Sequence, residues 1–142
     1  MENFVLSHPD IKCIDAGNIF SLNFRPFLNY PQPVQQYINH LQLQTSADDR
    51  YTLRYAGSLV ADLHRNLIKG GIFLYPPTKS KPDRKLRLMY ECNPFAYIYT
   101  KAGGKAIDGN CNILDIQPQN IHQRSASYIG CRNMTDDLIA EI

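Results

Sequence analysis

The stretch that decides the fold is RYAGSLVADLHRNLIKGGIFLYP, residues 54–76. It begins at the end of YTLRY, residues 51–55, whose aromatic and β-branched side chains predict a strand. It ends in IFLY, residues 72–75, a second apolar run of strand length. A strand, a helix and another strand in this order predict a layered α/β domain.

The helix between these strands is predicted from its ends and from its spacing. Gly57 and Ser58 begin it, and Gly70 and Gly71 end it, because glycine tolerates the left-handed conformation at a helix C-terminus. Three apolar residues recur at helical spacing and predict its buried face: Val60, Leu63 and Leu67.

Short strands and an amphipathic helix are predicted before this unit. Pro9 and Gly17 separate three apolar runs, FVLSH, IKCID and NIFSLN, at residues 4–8, 11–15 and 18–23. After Pro31 and Pro33, helical spacing predicts a helix that buries Val34, Tyr37, Ile38 and Leu41. The polar run TSADD, residues 45–49, is interpreted as a turn.

After the unit, residues 76–85 form a basic, proline-rich loop that is either solvated or a site. Residues 86–92 fit a strand and a helical turn equally well. Asn93 and Pro94 predict the N-cap and first position of a helix that continues to Lys101. Two strands and a short helix follow, in NILDI, ASYIG and TDDLIAEI, at residues 112–116, 126–130 and 135–142.

Composition excludes several classes of protein. The chain has 142 residues and a formal net charge of +2, without a long run of Lys or Arg, so we expect no nucleic-acid partner. It has no apolar run of about 18 residues and no basic N-terminal leader, so we expect no membrane contact and a cytoplasmic location. Four widely spaced cysteines predict buried reduced thiols rather than zinc ligands: Cys13, Cys92, Cys111 and Cys131.

The polar residues at element ends are of the kind that binds phosphate. Lys and Arg supply charge, and tyrosine hydroxyls supply donors. In α/β sheets such residues meet where strands end, which groups Arg54, Tyr55, Tyr75, Lys85 and Arg87. On residue type alone, packing tyrosines and solvated cations explain them at least as well. The stretch KLRLMYECNPFAYIYTKAGG, residues 85–104, adds a single carboxylate, Glu91.

Together, residues 54–76, residues 85–104 and the run NIHQRS at 120–125 resemble the C-terminal half of class I fructose-1,6-bisphosphatase. The resemblance extends over nearly the whole chain from Phe4. Inositol phosphatases and sedoheptulose bisphosphatase share the fold, but VADLHR and GGIFLYP are closer to the fructose enzyme. It implies a mixed β-sheet flanked by helices in layers, with residues 1–142 as one sugar-phosphate-binding domain.

The resemblance also implies an activity for the whole protein. It would hydrolyse fructose 1,6-bisphosphate to fructose 6-phosphate and phosphate in gluconeogenesis, as a Mg²⁺-dependent homotetramer. Arg54 matches an arginine that reaches a neighbouring subunit's pocket, and Arg87 matches a position near the 1-phosphate. Glu91 matches a metal ligand, and the backbone of residues 57–59 approaches the sugar. Four residues match positions that hold the 6-phosphate: Asn23, Tyr55, Tyr75 and Lys85.

Departures from the family pattern concern the metal site. The family has a D-P-x-D-G-S motif and a pair of adjacent glutamates, both in its N-terminal half. This sequence contains neither, and its glutamates are Glu2, Glu91 and Glu141. We therefore expect a fragment whose N-terminal metal and AMP domain is missing, which is inactive alone and exposes an apolar face. Pro26 stands where the family has a phosphate-binding tyrosine, so Arg25 is a possible replacement donor.

Two alternatives remain open. The chain could be a non-enzymatic module for sugar-phosphate binding or oligomerisation that kept the pocket without the metal half. It could instead come from an enzyme of sister specificity, such as sedoheptulose 1,7-bisphosphatase.

Overall fold

A computed structural model describes residues 4–48, 50–80, 82 and 86–142. Its centre is a five-stranded mixed sheet in the order β2-β1-β3-β5-β4. The strands are β1 (Ile19–Ser21), β2 (Thr52–Leu53), β3 (Gly71–Tyr75), β4 (Lys105–Ile107) and β5 (Ser127–Gly130). β1 is parallel to β2 and β3, whereas β5 is antiparallel to β3 and β4. The carboxyl ends of β1, β2 and β3 therefore share one edge of the sheet.

Helices flank this sheet as two linked pairs, which confirms the predicted fold class. They are α1 (Gln32–Asp48), α2 (Leu59–Lys69), α3 (Asn93–Lys101) and α4 (Arg132–Glu141). The Tyr37 hydroxyl joins α1 to α4 by donating to the carbonyl of Met134 at 2.8 Å. The Tyr99 hydroxyl joins α3 to α2 by donating to the carbonyl of Leu63 at 2.7 Å. Within the described ranges, no helix is long and apolar enough to cross a membrane.

The predicted unit around α2 is confirmed in its main features. Gly70 ends α2 at φ 85°, in the region that favours glycine. At Gly71 a Cβ would lie 2.5 Å from the carbonyl oxygen of Ile19, so β1 and β3 approach closely only with glycine there. Leu63 is buried, but Val60 is 64% exposed, so its placement on the buried face is wrong.

The two N-terminal strand predictions are wrong. Residues 4–8 and 11–15 are irregular, and β1 is confined to three residues of the third run. Phe4 and Leu6 are largely exposed, and Asp10 has φ 55° beside Pro9. A strand needs a neighbouring strand to satisfy its backbone groups, and these residues have none in the part of the chain described.

Three local predictions differ from the structure. Residues 45–48 continue α1 instead of turning, because no glycine or proline interrupts the helical ladder there, while Asp49 lies outside the described residues. A π-helical turn, Leu88–Cys92, runs directly into α3, so Asn93 is helical and is not an N-cap. Residues 112–116 form a 3₁₀ turn over Ile113–Asp115 instead of a strand.

β4 was not predicted, since three residues are too short for a pattern. β5 and α4 are confirmed, α4 beginning at Arg132. The four cysteines are free thiols, but only three are buried, and Cys111 is exposed on a turn next to Asp108. The prediction of free, reduced thiols is therefore confirmed, whereas the prediction that all four cysteines are buried is wrong.

Candidate functional site

Four of the predicted site residues lie where the three parallel strands end. Asn23 follows β1, Arg54 and Tyr55 follow β2, and Tyr75 is the last residue of β3. Because these strands are parallel neighbours, the residues collect at one edge of the sheet, where α/β domains bind ligands. We call Asn23, Tyr55, Tyr75 and the buried Tyr30 beside them the tyrosine edge.

Tyr30 belongs to this edge, although no sequence pattern singles it out. Its hydroxyl donates to the backbone carbonyl of Asn23 at 2.5 Å, and the residue is only 4% exposed. Burial, with smaller contributions from the nearby Tyr55 and Tyr75, raises the pKa of Tyr30 to about 12. The hydroxyls of these three tyrosines are therefore neighbours.

The other two tyrosines of the edge are neutral donors at physiological pH. Burial raises the pKa of Tyr75, with smaller contributions from Tyr55 and Glu91. Burial also raises the pKa of Tyr55, with a contribution from Asp62. The Tyr75 ring stacks against Phe73 with centroids 6.1 Å apart, which holds it in place. A neutral hydroxyl can donate a hydrogen bond to an anion, which is what a phosphate oxygen requires.

Arg54 lines a depression of about 420 Å³ together with Asn18, Thr52, Arg65 and Lys69, and no residue of the tyrosine edge lines that depression. Its backbone N–H donates to the carbonyl of Phe20 at 3.0 Å, which extends the pairing of β1 and β2. The structure therefore groups Asn23, Tyr55 and Tyr75 and separates Arg54 from them.

Asp62 organises the loop between Tyr55 and α2, a role that sequence reasoning missed. Its buried carboxylate accepts hydrogen bonds from the backbone N–H of Ala56 at 2.9 Å and of Gly57 at 3.1 Å. Arg65 donates to the same carboxylate at 2.9 Å. The available signal was an acidic residue in the first turn of a helix. The backbone of residues 57–59, predicted to approach a sugar, is thus anchored on one side by Asp62.

The second wall of the candidate site is the segment with Arg87 and Glu91, which lies close enough to Tyr75 for Glu91 to help raise the pKa of Tyr75. Glu91 lies in the π-helical turn, and its Oε2 accepts from the Arg87 N–H at 2.8 Å and faces the Arg87 guanidinium at 3.6 Å. Cys92 Sγ lies 3.0 Å from Ser127 Oγ, and Ser127 pairs with Tyr75. This contact ties the turn to the end of β3. Lys85 lies outside the described residues.

The described residues do not form a complete metal site. They contain no group of three or more His, Cys, Asp or Glu side chains that could hold a metal ion. Mg²⁺ requires near-octahedral coordination by oxygen, with one or two carboxylates among the ligands. Glu91 offers one carboxylate, and Oε2 of that carboxylate is already engaged by Arg87.

The loop after β1 contains Pro26 and is ordered by local contacts. Asn23 Oδ1 accepts from the Arg25 N–H at 3.1 Å, and Phe24 stacks on Phe27 with centroids 4.9 Å apart. Arg25 is exposed. The Arg25 side chain as a phosphate donor stays a prediction.

The sheet and its flanking helices define a layered α/β domain with hydrogen-bond donors at the carboxyl ends of its parallel strands. The family model described as "Fructose-1-6-bisphosphatase, C-terminal domain" matches residues 14–141. The chain therefore belongs to the fructose-1,6-bisphosphatase family, as the C-terminal domain.

Two similar proteins support this assignment. The class 1 fructose-1,6-bisphosphatase of Cytophaga hutchinsonii is 52% identical over 140 residues, which cover 98% of this chain and 40% of that protein. A crystal structure of Leishmania major fructose-1,6-bisphosphatase in holo form matches with a TM-score of 0.92 and 38% identity, covering 97% of this chain and 42% of that one. The chain spans about two fifths of the length of these relatives.

Proposed function

We propose that residues 1–142 form the sugar-phosphate-binding domain of a fructose-1,6-bisphosphatase. The whole protein would hydrolyse fructose 1,6-bisphosphate to fructose 6-phosphate and phosphate in gluconeogenesis, in the cytoplasm. The observation that carries the proposal is the tyrosine edge, where neutral hydroxyls and an amide meet at the carboxyl ends of β1, β2 and β3. Membership of the family supports the choice of ligand.

In this proposal the tyrosine edge holds the 6-phosphate. Tyr55 and Tyr75 donate from their hydroxyls, Asn23 donates from its amide, and Lys85 adds positive charge. The backbone of residues 57–59, anchored by Asp62, faces the sugar hydroxyls. The reacting 1-phosphate lies toward Arg87, across the site from the tyrosines.

We assign Glu91 as one ligand of Mg²⁺ in the whole protein. One carboxylate fills only part of the octahedral coordination of this ion, so the remaining oxygen ligands would come from the substrate phosphate, from water and from residues beyond those described. The isolated chain would therefore bind sugar phosphate without hydrolysing it. Phosphate release with Mg²⁺ above that of a Glu91→Gln variant would contradict this part of the proposal.

Arg54 is assigned to a neighbouring subunit's pocket in a homotetramer. Its place in a depression away from the tyrosine edge supports a role outside its own pocket. Size measurement by analytical ultracentrifugation, with and without Arg54→Ala, tests whether the arginine contributes to association.

Titration of the purified chain with fructose 6-phosphate, followed by NMR or calorimetry, tests the proposed function. Tyr75→Phe and Lys85→Ala should each weaken saturable binding by about three- to tenfold, as expected for one lost hydrogen bond or charge contact. Tyr97→Phe is the matched control, because Tyr97 is 57% exposed on α3. No binding at millimolar ligand would contradict the proposal. Sedoheptulose 7-phosphate in a parallel titration tests the sister specificity.

A further inference from the structure

Tyr30 makes an unusual contact, from a buried ring to the backbone of an exposed residue. Its ring packs in the core, while its hydroxyl donates to the carbonyl of Asn23 at 2.5 Å. Six residues lie between the two along the chain, and they include the stacked pair Phe24 and Phe27. The hydrogen bond therefore closes a compact loop whose first residue belongs to the proposed phosphate site.

The position of Tyr30 is itself fixed from two directions. Gln35, in the first turns of α1, donates from Nε2 to the Tyr30 carbonyl at 2.8 Å. The carbonyl of the preceding residue, Asn29, accepts from the Lys79 N–H at 3.1 Å, which joins this loop to the segment after β3. Tyr30 thus connects the ends of β1 and β3 at the point where both approach the tyrosine edge.

The side chain of Asn23 is oriented by the same loop. Its Oδ1 accepts from the Arg25 N–H at 3.1 Å, so the amide oxygen is used within the loop. The Nδ2 group carries only donors and is the part of this side chain that can bind an anion. Pro26 directly precedes the 3₁₀ turn Phe27–Asn29 and offers neither a backbone N–H nor a side-chain donor.

We propose that Tyr30 is a positioning residue, whose hydroxyl fixes Asn23 so that its amide donates to the phosphate group of a sugar phosphate. This inference rests on the proposed function, because it assigns a further residue to the same site. Tyr30 acts through Asn23, because its hydroxyl holds the Asn23 carbonyl from the core. Pro26 has no donor with which to make such a contact from within the loop.

The test is a double-mutant cycle on the affinity for fructose 6-phosphate. Tyr30→Phe keeps the ring and removes only the hydroxyl, so binding should weaken by about three- to tenfold. In an Asn23→Ala background the same change should have less than a twofold effect, because the positioned amide is gone. Tyr97→Phe should change neither background. Equal losses in both backgrounds, or no loss in the first, would overturn the inference.

A second measurement needs no ligand. Hydrogen exchange of the Arg25 amide, which donates to Asn23 Oδ1, should accelerate several-fold in Tyr30→Phe and stay unchanged in Tyr97→Phe. Exchange at core amides of β3 reports global stability and separates loop release from general unfolding. If the unmodified chain fails to bind, the proposed function fails. The Arg25 amide then decides alone whether Tyr30 fixes Asn23, and unchanged exchange overturns the inference.

Discussion

The two walls of the proposed site differ in how completely this chain builds them. At the tyrosine edge, polar groups come from the ends of three strands, and Tyr30 and Asp62 brace them from within. At the π-helical turn, the Glu91 carboxylate accepts a hydrogen bond from the N–H of Arg87, the residue before the turn, and faces the Arg87 guanidinium. The first wall collects groups from the ends of three strands, whereas the Glu91–Arg87 pair of the second comes from one short segment.

In the proposed site, this difference separates binding from chemistry. Phosphate recognition needs donors on a rigid frame, and the tyrosine edge offers donors at the ends of three strands. Metal-assisted hydrolysis needs several oxygen ligands around one ion, and the described residues contain no group of three or more His, Cys, Asp or Glu side chains that could hold one. Three experiments test this contrast.

The largest effect is expected from removing the brace at the tyrosine edge. Asp62→Ala should lower the free energy of unfolding by about 3–5 kcal/mol, because it leaves the Arg65 charge and two backbone N–H groups without their carboxylate. Urea unfolding measures this directly. Asp136→Ala, which breaks the more exposed ion pair with Lys105, is the control and should cost at most about 1 kcal/mol. Equal small losses would show that the edge needs no brace.

Alkaline pH should loosen the two walls in different ranges. Burial raises the pKa of the Cys92 thiol from 9.0 to about 11, and that of Tyr30 from 10.0 to about 12. Above the unfolded pKa the unfolded chain has released its proton while the folded chain keeps it, so stability falls as pH rises. Cys92 contributes this loss from pH 9 to 11 and Tyr30 from pH 10 to 12, each by up to about 1.4 kcal/mol per pH unit.

Urea unfolding between pH 8 and 12 checks these ranges. Cys92→Ala should flatten the lower range and Tyr30→Phe the upper one, while Tyr97→Phe should change neither. The buried Cys13, Tyr37 and Tyr99 also have raised pKa values, so some slope remains above pH 9 in every variant. Identical profiles for all variants would mean that neither wall titrates as its burial implies.

The smallest effect is expected at the turn. Glu91→Gln should change the affinity for fructose 6-phosphate by less than about threefold, since the glutamine oxygen can still accept from the Arg87 N–H. Any change should be toward tighter binding, because a negative charge near Tyr75 is removed. Glu141→Gln on α4 serves as the control. A tenfold loss would show that Glu91 shapes the pocket, against the separation of binding from chemistry.

The parts of the fold that follow local rules were predictable from the sequence. Gly70 and Gly71 marked the end of α2 and the start of β3, because a positive φ and a close strand approach both require glycine. β4 and the irregular N-terminal segment were not predictable. Lys105–Ile107 is a strand because β5 lies beside it, and residues 4–8 have strand-like composition without a neighbour among the described residues.

The candidate site divides in the same way. The rule that parallel strands end at one edge grouped Tyr55 and Tyr75 in advance, and the family resemblance added Asn23 and Glu91. Tyr30 escaped because its role depends on a hydroxyl meeting a carbonyl across a folded loop, which no spacing encodes. Asp62 escaped because an acid in a first helical turn is usually solvated, whereas here the loop closes over it.

The order of strands in the sheet has a consequence for biosynthesis. β3 lies between β1 and β5, and β5 leaves the ribosome about 50 residues after β3. At typical translation rates this interval lasts about 3 to 10 s, during which one side of β3 has no partner. Ile72 and Leu74 lie in β3 and are fully buried in the folded domain. The nascent chain therefore presents an apolar strand edge for seconds, and chaperones that hold such edges should associate with it before β5 appears.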